Sequence, residues 1–383
     1  MSVTLYSFLM ALLCSSAFVV LLVLFRRKNE FIYTFGTTSM LLLFAGFVIR
    51  LALPVEFPFV KEIGLFDGLY ANVNSFLMKN LYYGISFIEI LVVIWGIVSA
   101  ILLIKLVVKH IGFTRAMLRL KNHITPQITE CQKRIEAELH VKNVHIICSP
   151  HFEAPLCSGI MKLILLPEMD YSDEDLYYIL KHEYTHLKNG DLYLKMLVEV
   201  FVAIFWWNPF VYLLRYNLSD VLEIKCDLSV VGKENREIKA SYLQTILNMV
   251  KASLNNDKKD KKLRLTTAEF VNYSKEDSLT QRFKVVINYK PNRRKGILYF
   301  TGFIATMVLT LSVSYMFVLQ PAHTVPQEEI DEGGAVEITP ENTYILETED
   351  GKYILISDNG IENEIDESFK DMLILDGFEI KEE

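Results

Sequence analysis

The sequence predicts an α-helical membrane protein that carries an α+β domain between its spans and a small β-rich tail. Three observations predict this class. Hydrophobic residues make up 51% of the 383-residue chain, and mean hydropathy is positive at +0.26, which is high for a soluble protein. Several apolar runs are long enough to cross a bilayer, and clusters of Lys and Arg flank them on alternate sides. A polar stretch of ordinary domain size interrupts the apolar pattern.

Taken in order, residues 3–25 are almost wholly apolar and are followed at once by Arg26, Arg27 and Lys28. No basic residue precedes them and no convincing cleavage site is present, so they read as an uncleaved span with its N-terminus outside. Residues 32–53 form a second span, with Arg50 near its outer end and placed to snorkel. Residues 54–82 make an outer loop. A third span covers 83–109, with Glu89 and Lys105 near its two ends, both read as interfacial rather than as part of a proton path. Lys109, Arg115, Arg119 and Lys121 then mark the cytoplasmic side.

Residues 110–296 form the polar domain. A helix is expected over 129–139 and short strands over 144–148 and 162–166. The second strand either pairs with the backbone of a peptide substrate or is plain core. The stretch 192–218 is apolar enough to span, with Trp206 and Trp207 and only Lys195, Glu199 and Arg215 charged. Residues 251–263 mix Lys with Asp and have no aromatic platform, so a linker is expected and no direct contact with nucleic acid.

Arg293, Arg294 and Lys295 precede a last span at 297–319, which puts residues 320–383 outside. That tail carries 19 acidic and 3 basic side chains, a net of −16 against +9 for the rest of the chain. Asp350-Gly351 predicts a hairpin of 344–348 with 352–356, and a second Asp-Gly at 376–377 separates 372–375 from 378–380. The five cysteines, Cys14, Cys131, Cys148, Cys157 and Cys226, form neither a disulfide framework nor a C-x-x-C pair. They suit a reducing compartment for the central domain.

The chemistry is carried by His182-Glu183-Tyr184-Thr185-His186, an H-E-x-x-H. On a helix, residues four apart lie about 40° apart around the axis and one turn along. Both imidazoles then reach one metal ion, with Glu183 beside them as general base. The helix is well signalled. Ser172 caps it, Asp173, Glu174 and Asp175 load its first turn, Leu176, Ile179, Leu180 and Leu187 give an apolar face, and Gly190 stops it.

Zinc hydrolases of this type add one carboxylate and leave a position open for water. Downstream, Glu223 and Asp227 form an E-x-x-x-D on an expected helix. Glu223 is the candidate third ligand, and Asp227 would hydrogen-bond a ligand histidine. Asp191 and Asp220 compete for the role but read more simply as helix-end charges. Cys226, about 60° around the helix from Glu223, reads as structural. If His182 and Glu223 share a metal, 192–218 cannot cross the membrane once; it must be a core or interfacial helix broken at Asn208-Pro209.

The run 180–191, the block Trp206-Trp207-Asn208-Pro209, Arg215 and the run 223–227 together resemble the BlaR/MecR-type membrane metallopeptidases, the bacterial antirepressor signal transducers. Ser149-Pro150 and the segment 164–167 are also similar. The resemblance implies a gluzincin-like cytoplasmic zinc domain held by membrane helices. It implies Zn2+ on His182, His186 and Glu223, with Glu183 as base. It further implies an extracytoplasmic ligand as signal, self-cleavage, and a BlaI/MecI-type repressor as the protein finally lost; a homodimer is one assembly it allows. Members that sense β-lactams end in a penicillin-binding domain with Ser-x-x-Lys. The tail here is short for one and has no such motif, so β-lactam sensing is not implied. A housekeeping membrane protease would use the same site. A receptor with an inert peptidase fold is opposed by the intact His182, Glu183, His186 and Glu223.

Overall fold

Three long apolar helices and a shorter one lie among the described residues of the first 321. In the computed structural model α1 is Leu5–Arg26, α2 Asn29–Ala52, α3 Phe87–Leu118 and a later helix Arg293–Val313. The described residues are 4–57, 60–65, 76–77, 80–82, 85–120, 122–158, 161–256, 276–290, 293–321, 338–340, 343–348, 353–357, 362–365, 369–370, 373–374 and 378–382. The first three helices are long and apolar enough to cross a membrane, and Ile297–Val313 is a shorter apolar helix. That last helix stops at Val313, short of the expected 319, and the chain turns into a strand.

The first helix begins where Thr4 accepts from the backbone N–H of Ser7. The turn Arg27-Lys28 leads straight into α2, so the two run antiparallel as neighbours. Ser99 and Met117 are the buried residues described in α3, whose apolar surface otherwise faces outward, as lipid requires. One expectation needs correction. Arg50 does not reach outward: it is buried over the Tyr315 ring at 4.3 Å, with Nη2 donating to the carbonyl of Ser314 at 3.3 Å. Carbonyls at a helix C-terminus and an aromatic face together replace water for the guanidinium. Glu89 is a helix cap, its carboxylate accepting from the N–H of Ser86 at 2.9 Å.

The segment between α2 and α3 contributes β1 (Lys61–Leu65), β2 (Asn80–Tyr82) and β3 (Ile85–Ser86). Strand β1 pairs parallel with Phe317–Pro321, just past the last long helix.

The polar domain holds α4 (Pro126–Leu139), β4 (His145–Ser149), β5 (Leu156–Ser158), β6 (Leu163–Pro167) and α5 (Asp173–Asn189). The sheet order is β4-β6-β5, with β4 parallel and β5 antiparallel to β6. All of β6 is buried, as a continuous Leu-Ile-Leu-Leu run predicts for a strand covered on both faces. Ile164 and Leu166 pack with Ile128, Ile135, Leu176, Leu180 and Tyr184 of α4 and α5. Leu163 and Leu165 face the other way, onto Met117 at the end of α3. Because β6 is central, its backbone is already paired on both sides. It is plain core, and the alternative of a substrate-pairing strand is removed.

Helix α5 leads through Gly190, in the left-handed conformation at φ 69°, into α6 (Asp191–Ile204). The chain reverses at Phe205–Asn208 and returns as α7 (Pro209–Val231). Asn208 accepts from the N–H of Phe210, and Pro209 takes the first helical position, where its missing N–H costs nothing. The stretch 192–218 is therefore a helical hairpin. Val198, Phe201, Val211, Leu214 and Leu218 are buried against Phe18, Leu22, Phe44 and Phe47 of α1 and α2. Helices α8 (Arg236–Asn256), α9 (Glu276–Asn288) and α10 (Arg293–Val313) follow, and then β7 (Phe317–Pro321).

Residues 322–383 form a separate unit. Its strands β8 (Thr343–Glu347), β9 (Tyr353–Ser357), β10 (Glu362–Ile365) and β11 (Ile380–Glu382) lie in the order β10-β9-β8-β11. The antiparallel pair β8–β9 is the expected hairpin, though Asp350-Gly351 lies outside the described residues. The segments around 376–377 do not form a second one: β11 pairs parallel with β8, and Leu373 and Phe378 join Ile345 and Leu355 in a small core. Asp376-Gly377 is also outside the described residues.

Candidate metal centre

Two helices meet at the centre. On α5, His182 and His186 present Nε2 atoms 3.1 Å apart. On α7, Glu223 faces both: its Oε2 is 3.4 Å from His182 Nε2 and its Oε1 is 3.6 Å from His186 Nε2. Ligands on a tetrahedral zinc at bonds of about 2.0–2.1 Å are about 3.3 Å apart. The three separations scatter around that edge length, so this donor set fits a tetrahedral ion. Glu223's carboxyl lies well below the ordinary carboxylate range; burial opposes ionisation, and His186 and Lys195 outweigh it. Lys195, on α6, places Nζ 3.3 Å from Glu223 Oε1.

The outer nitrogens of both imidazoles are held. His186 Nδ1 is 2.9 Å from Asp191 Oδ2, and Asp191 also accepts from Lys225 at 2.9 Å. Asp191 is fully buried. A carboxylate only accepts, so His186 carries its proton on Nδ1 and directs the Nε2 lone pair at the centre. His182 Nδ1 is 2.7 Å from the Tyr242 hydroxyl of α8, which donates to Asp227 Oδ1 at 2.6 Å. The hydroxyl has one proton. With that proton on Asp227, its oxygen accepts from His182 Nδ1–H, and the second Nε2 lone pair is freed as well. Asp227 itself is 3.5 Å from His182 Nδ1, so its hold on the ligand runs through Tyr242. Arg282 of α9 closes the network, with Nε and Nη2 on the two Asp227 oxygens at 2.7 and 2.8 Å.

Cys226 is also close. Its Sγ donates to the carbonyl of His182 at 3.3 Å and is 3.5 Å from His182 Nδ1. Among the described residues His182, His186 and Cys226 form a cluster whose ligand atoms lie within 4.8 Å of one another. The approach to His182 is from the Nδ1 side, which Tyr242 already occupies, whereas both Nε2 atoms face Glu223. The four remaining cysteines are likewise free thiols.

Glu183 follows His182 on α5 and is buried, with 8% of its surface exposed. It lies against β5: burial pushes the Cys157 thiol well above its ordinary range, and the Glu183 carboxylate adds to the shift. Asp220 pairs instead with Arg26 at 2.8 Å and accepts from Ser278 at 2.9 Å, away from the imidazoles. The sequence-predicted residues His182, Glu183, His186, Glu223 and Asp227 thus come together. Asp191 has a larger part than a helix-end charge. Tyr242, Arg282 and Lys195 had no sequence signal pointing at the site.

The chain is similar to the methicillin resistance protein mecR1 of Staphylococcus aureus, 24% identical over 308 residues that cover 78% of this chain and 49% of the relative. It is 24% identical over 204 residues to the regulatory protein BlaR1 of Bacillus licheniformis, covering 51% of this chain and 33% of the relative. Against the regulatory protein BlaR1 of Staphylococcus aureus it is 26% identical over 217 residues, covering 51% and 37%. The chain spans about half the length of mecR1, and less of either BlaR1 protein. The family described as BlaR1 peptidase M56 matches residues 78–286, from just before β2 to near the end of α9. This chain, a membrane protein of mostly helical structure, belongs to the BlaR1 peptidase M56 family of metallopeptidases.

Proposed function

We propose that the chain is a regulatory zinc endopeptidase of the membrane, which turns an extracytoplasmic signal into proteolysis on the cytoplasmic side. The observation that carries this reading is the convergence of His182 Nε2, His186 Nε2 and the Glu223 carboxylate beside the buried Glu183. Two imidazoles and one carboxylate are the ligand set of a catalytic zinc, which when bound polarises carbonyl and water. Asp191 and Tyr242 hold the imidazoles with their lone pairs inward. Glu183 takes the proton of the attacking water and delivers it to the leaving amide nitrogen.

In this reading the N-terminus and residues 320–383 lie outside and residues 26–31 and 110–296 inside, as the basic residues beside each span suggest. Arg26, at the inner end of α1, pairs with Asp220, one turn before Glu223 on α7. The centre then lies at the inner membrane surface, within reach of soluble protein. The name of the BlaR1 relatives, a regulatory protein, supports a regulatory role. The substrates would be the chain itself and a BlaI/MecI-type repressor. The self-cleavage segment is 268–286, with the cut in 271–277. Residues up to 275 are outside the described ones, and α9 begins at Glu276.

The test compares purified wild type with two variants. Glu183→Gln keeps its metal and loses proteolysis, because the base goes and no ligand does. Glu223→Ala loses zinc content. Unchanged cleavage in Glu183→Gln would sink the assignment.

A further inference from the structure

One guanidinium bears on two of the three proposed ligands. Arg282 Nε and Nη2 grip both oxygens of the buried Asp227, and its remaining nitrogen, Nη1, is 3.5 Å from Glu223 Oε2. That same Oε2 faces His182 Nε2. Asp227 in turn holds Tyr242, which holds His182. The two Glu223 oxygens are therefore set in the same way: Oε1 between Lys195 and His186, Oε2 between Arg282 and His182. The planar fork of Arg can serve both carboxylates at once; a lysine, with one point charge, cannot.

Arg282 comes from α9, and α9 is docked largely by contacts outside the centre. Ser278 donates to Asp220, and Gln281 Nε2 donates to the backbone carbonyl of Arg26 at 2.6 Å. Tyr33 donates to the carbonyl of Lys284 at 3.2 Å. Val285 packs with Phe31 and Ile32 of α2, and Val286 with Tyr178, Cys226 and Val230. From Asn288 the chain passes within a few residues into α10, the last apolar helix.

We infer that Arg282 is a positioning residue of the metal centre, and that the centre keeps its ligand geometry only while α9 is docked on the α1–α2 turn and α7. A shift of α9 would withdraw the guanidinium from both carboxylates without moving α5 or α7, the helices that carry the ligands. It would leave Asp227 buried and uncompensated, a costly state that drives rearrangement. The helix that leads into α10 would thereby set how firmly the centre holds its ion.

The inference rests on the metal-centre reading above. Its test uses the full chain carrying Glu183→Gln, so that no variant digests itself, and reads zinc affinity and release against a chelating dye rather than activity. Arg282→Ala should lose about 10–100-fold in zinc affinity, the usual cost of removing a residue that orients ligands. Arg282→Lys should recover only part of it. A double Ser278→Ala, Gln281→Ala variant, which loosens α9 and leaves every centre residue intact, should release zinc several-fold faster. Ile135→Ala, which opens the core between α4 and the sheet, should lower the melting temperature and leave zinc affinity at the parent value. Parent-like affinity in Arg282→Ala overturns the inference, as does an equal loss in Ile135→Ala. If Arg282→Ala does not accumulate folded, parent-like affinity in Arg282→Lys overturns it. Parent-like release from the double variant overturns the role of α9 docking. A parent that binds no zinc overturns the metal-centre reading itself, whereas a zinc-binding parent with an unaffected Arg282→Ala overturns only this inference.

Discussion

The indole nitrogen of Trp95 donates a 2.6 Å hydrogen bond to the backbone carbonyl of Ile204, joining α3 to the end of α6. Ser99 donates to the same oxygen at 3.1 Å. A carbonyl in the last turn of a helix has lost its intrahelical partner. In an apolar layer no water replaces it, so the protein must supply the donor. Trp95 lies within the apolar run of α3, so the tip of the α6–α7 hairpin packs on that run, while Asp191 and Glu223 are at the other end of the hairpin. Both halves of the proposed metal centre are therefore at the same end of the hairpin.

That arrangement predicts labelling. With the native cysteines replaced, Trp207→Cys at the hairpin tip should resist a membrane-impermeant thiol reagent applied from either side. Glu234→Cys, beyond α7, should react only from the cytoplasmic side. A reporter fused at residue 255 should read as cytoplasmic. Labelling of Glu234→Cys from outside would overturn the topology.

Tyr242→Phe should weaken zinc binding by about 10–100-fold while the fold survives. The substitution keeps the ring that packs against Tyr178 at 5.6 Å and removes only the hydroxyl between His182 and Asp227. Zinc competition with a chelating dye on the Glu183→Gln chain checks it. An unchanged affinity would mean that the tautomer of His182 is fixed by another group.

The Glu138–Lys181 pair, 2.7 Å across α4 and α5, gives a pH prediction. Glu138 lies below its ordinary range although burial opposes this, because Lys181 and Tyr177 bond its carboxylate. Lys181 lies above its ordinary range, again against burial, because of Glu138 and Tyr177. A depressed acid stabilises above its unfolded pKa, about 4.3, and loses that contribution as pH falls through its folded value. A raised base stabilises below its unfolded pKa, about 10.4, and loses it as pH rises through its folded value. The pair should therefore contribute between these limits. With Glu138 39% exposed, the contribution is at most about 1 kcal/mol. Glu138→Gln should lower the melting temperature slightly at pH 7, and by less and less as the pH falls below about 4. A gap that stays constant as the pH falls would assign the effect to packing.

How much of this was legible in the sequence depends on the range of each signal. Helix α5 is marked by its own residues: Ser172 at one end, Gly190 in the left-handed conformation at the other, and an apolar face between. The hairpin break is marked by Asn208-Pro209, and β6 by an unbroken apolar run. The groups that orient the ligands are not marked locally. Tyr242 is 60 residues from His182, and Arg282 is 55 from Asp227. Each sits on an amphipathic helix where one polar residue looks like any other until the helices pack. Strand β5, at three residues, is too short to show alternation. Arg50 reads as a snorkelling residue because the sequence does not show that Tyr315 and the end of α10 cover it.

Self-cleavage predicts a fragment. In wild type exposed to a working inducer, mass spectrometry of membrane-bound fragments should find an N-terminus within residues 268–286, and the Glu183→Gln chain should lack it. An intact chain in both would end that part of the account.

The central claim is that one zinc is held by His182, His186 and Glu223. X-ray absorption at the zinc edge of the purified Glu183→Gln chain tests it most directly. The expected spectrum shows a first shell of nitrogen and oxygen alone at about 2.0–2.1 Å, with two imidazoles resolved in the outer shells. A sulfur at about 2.3 Å, from Cys226, would contradict it.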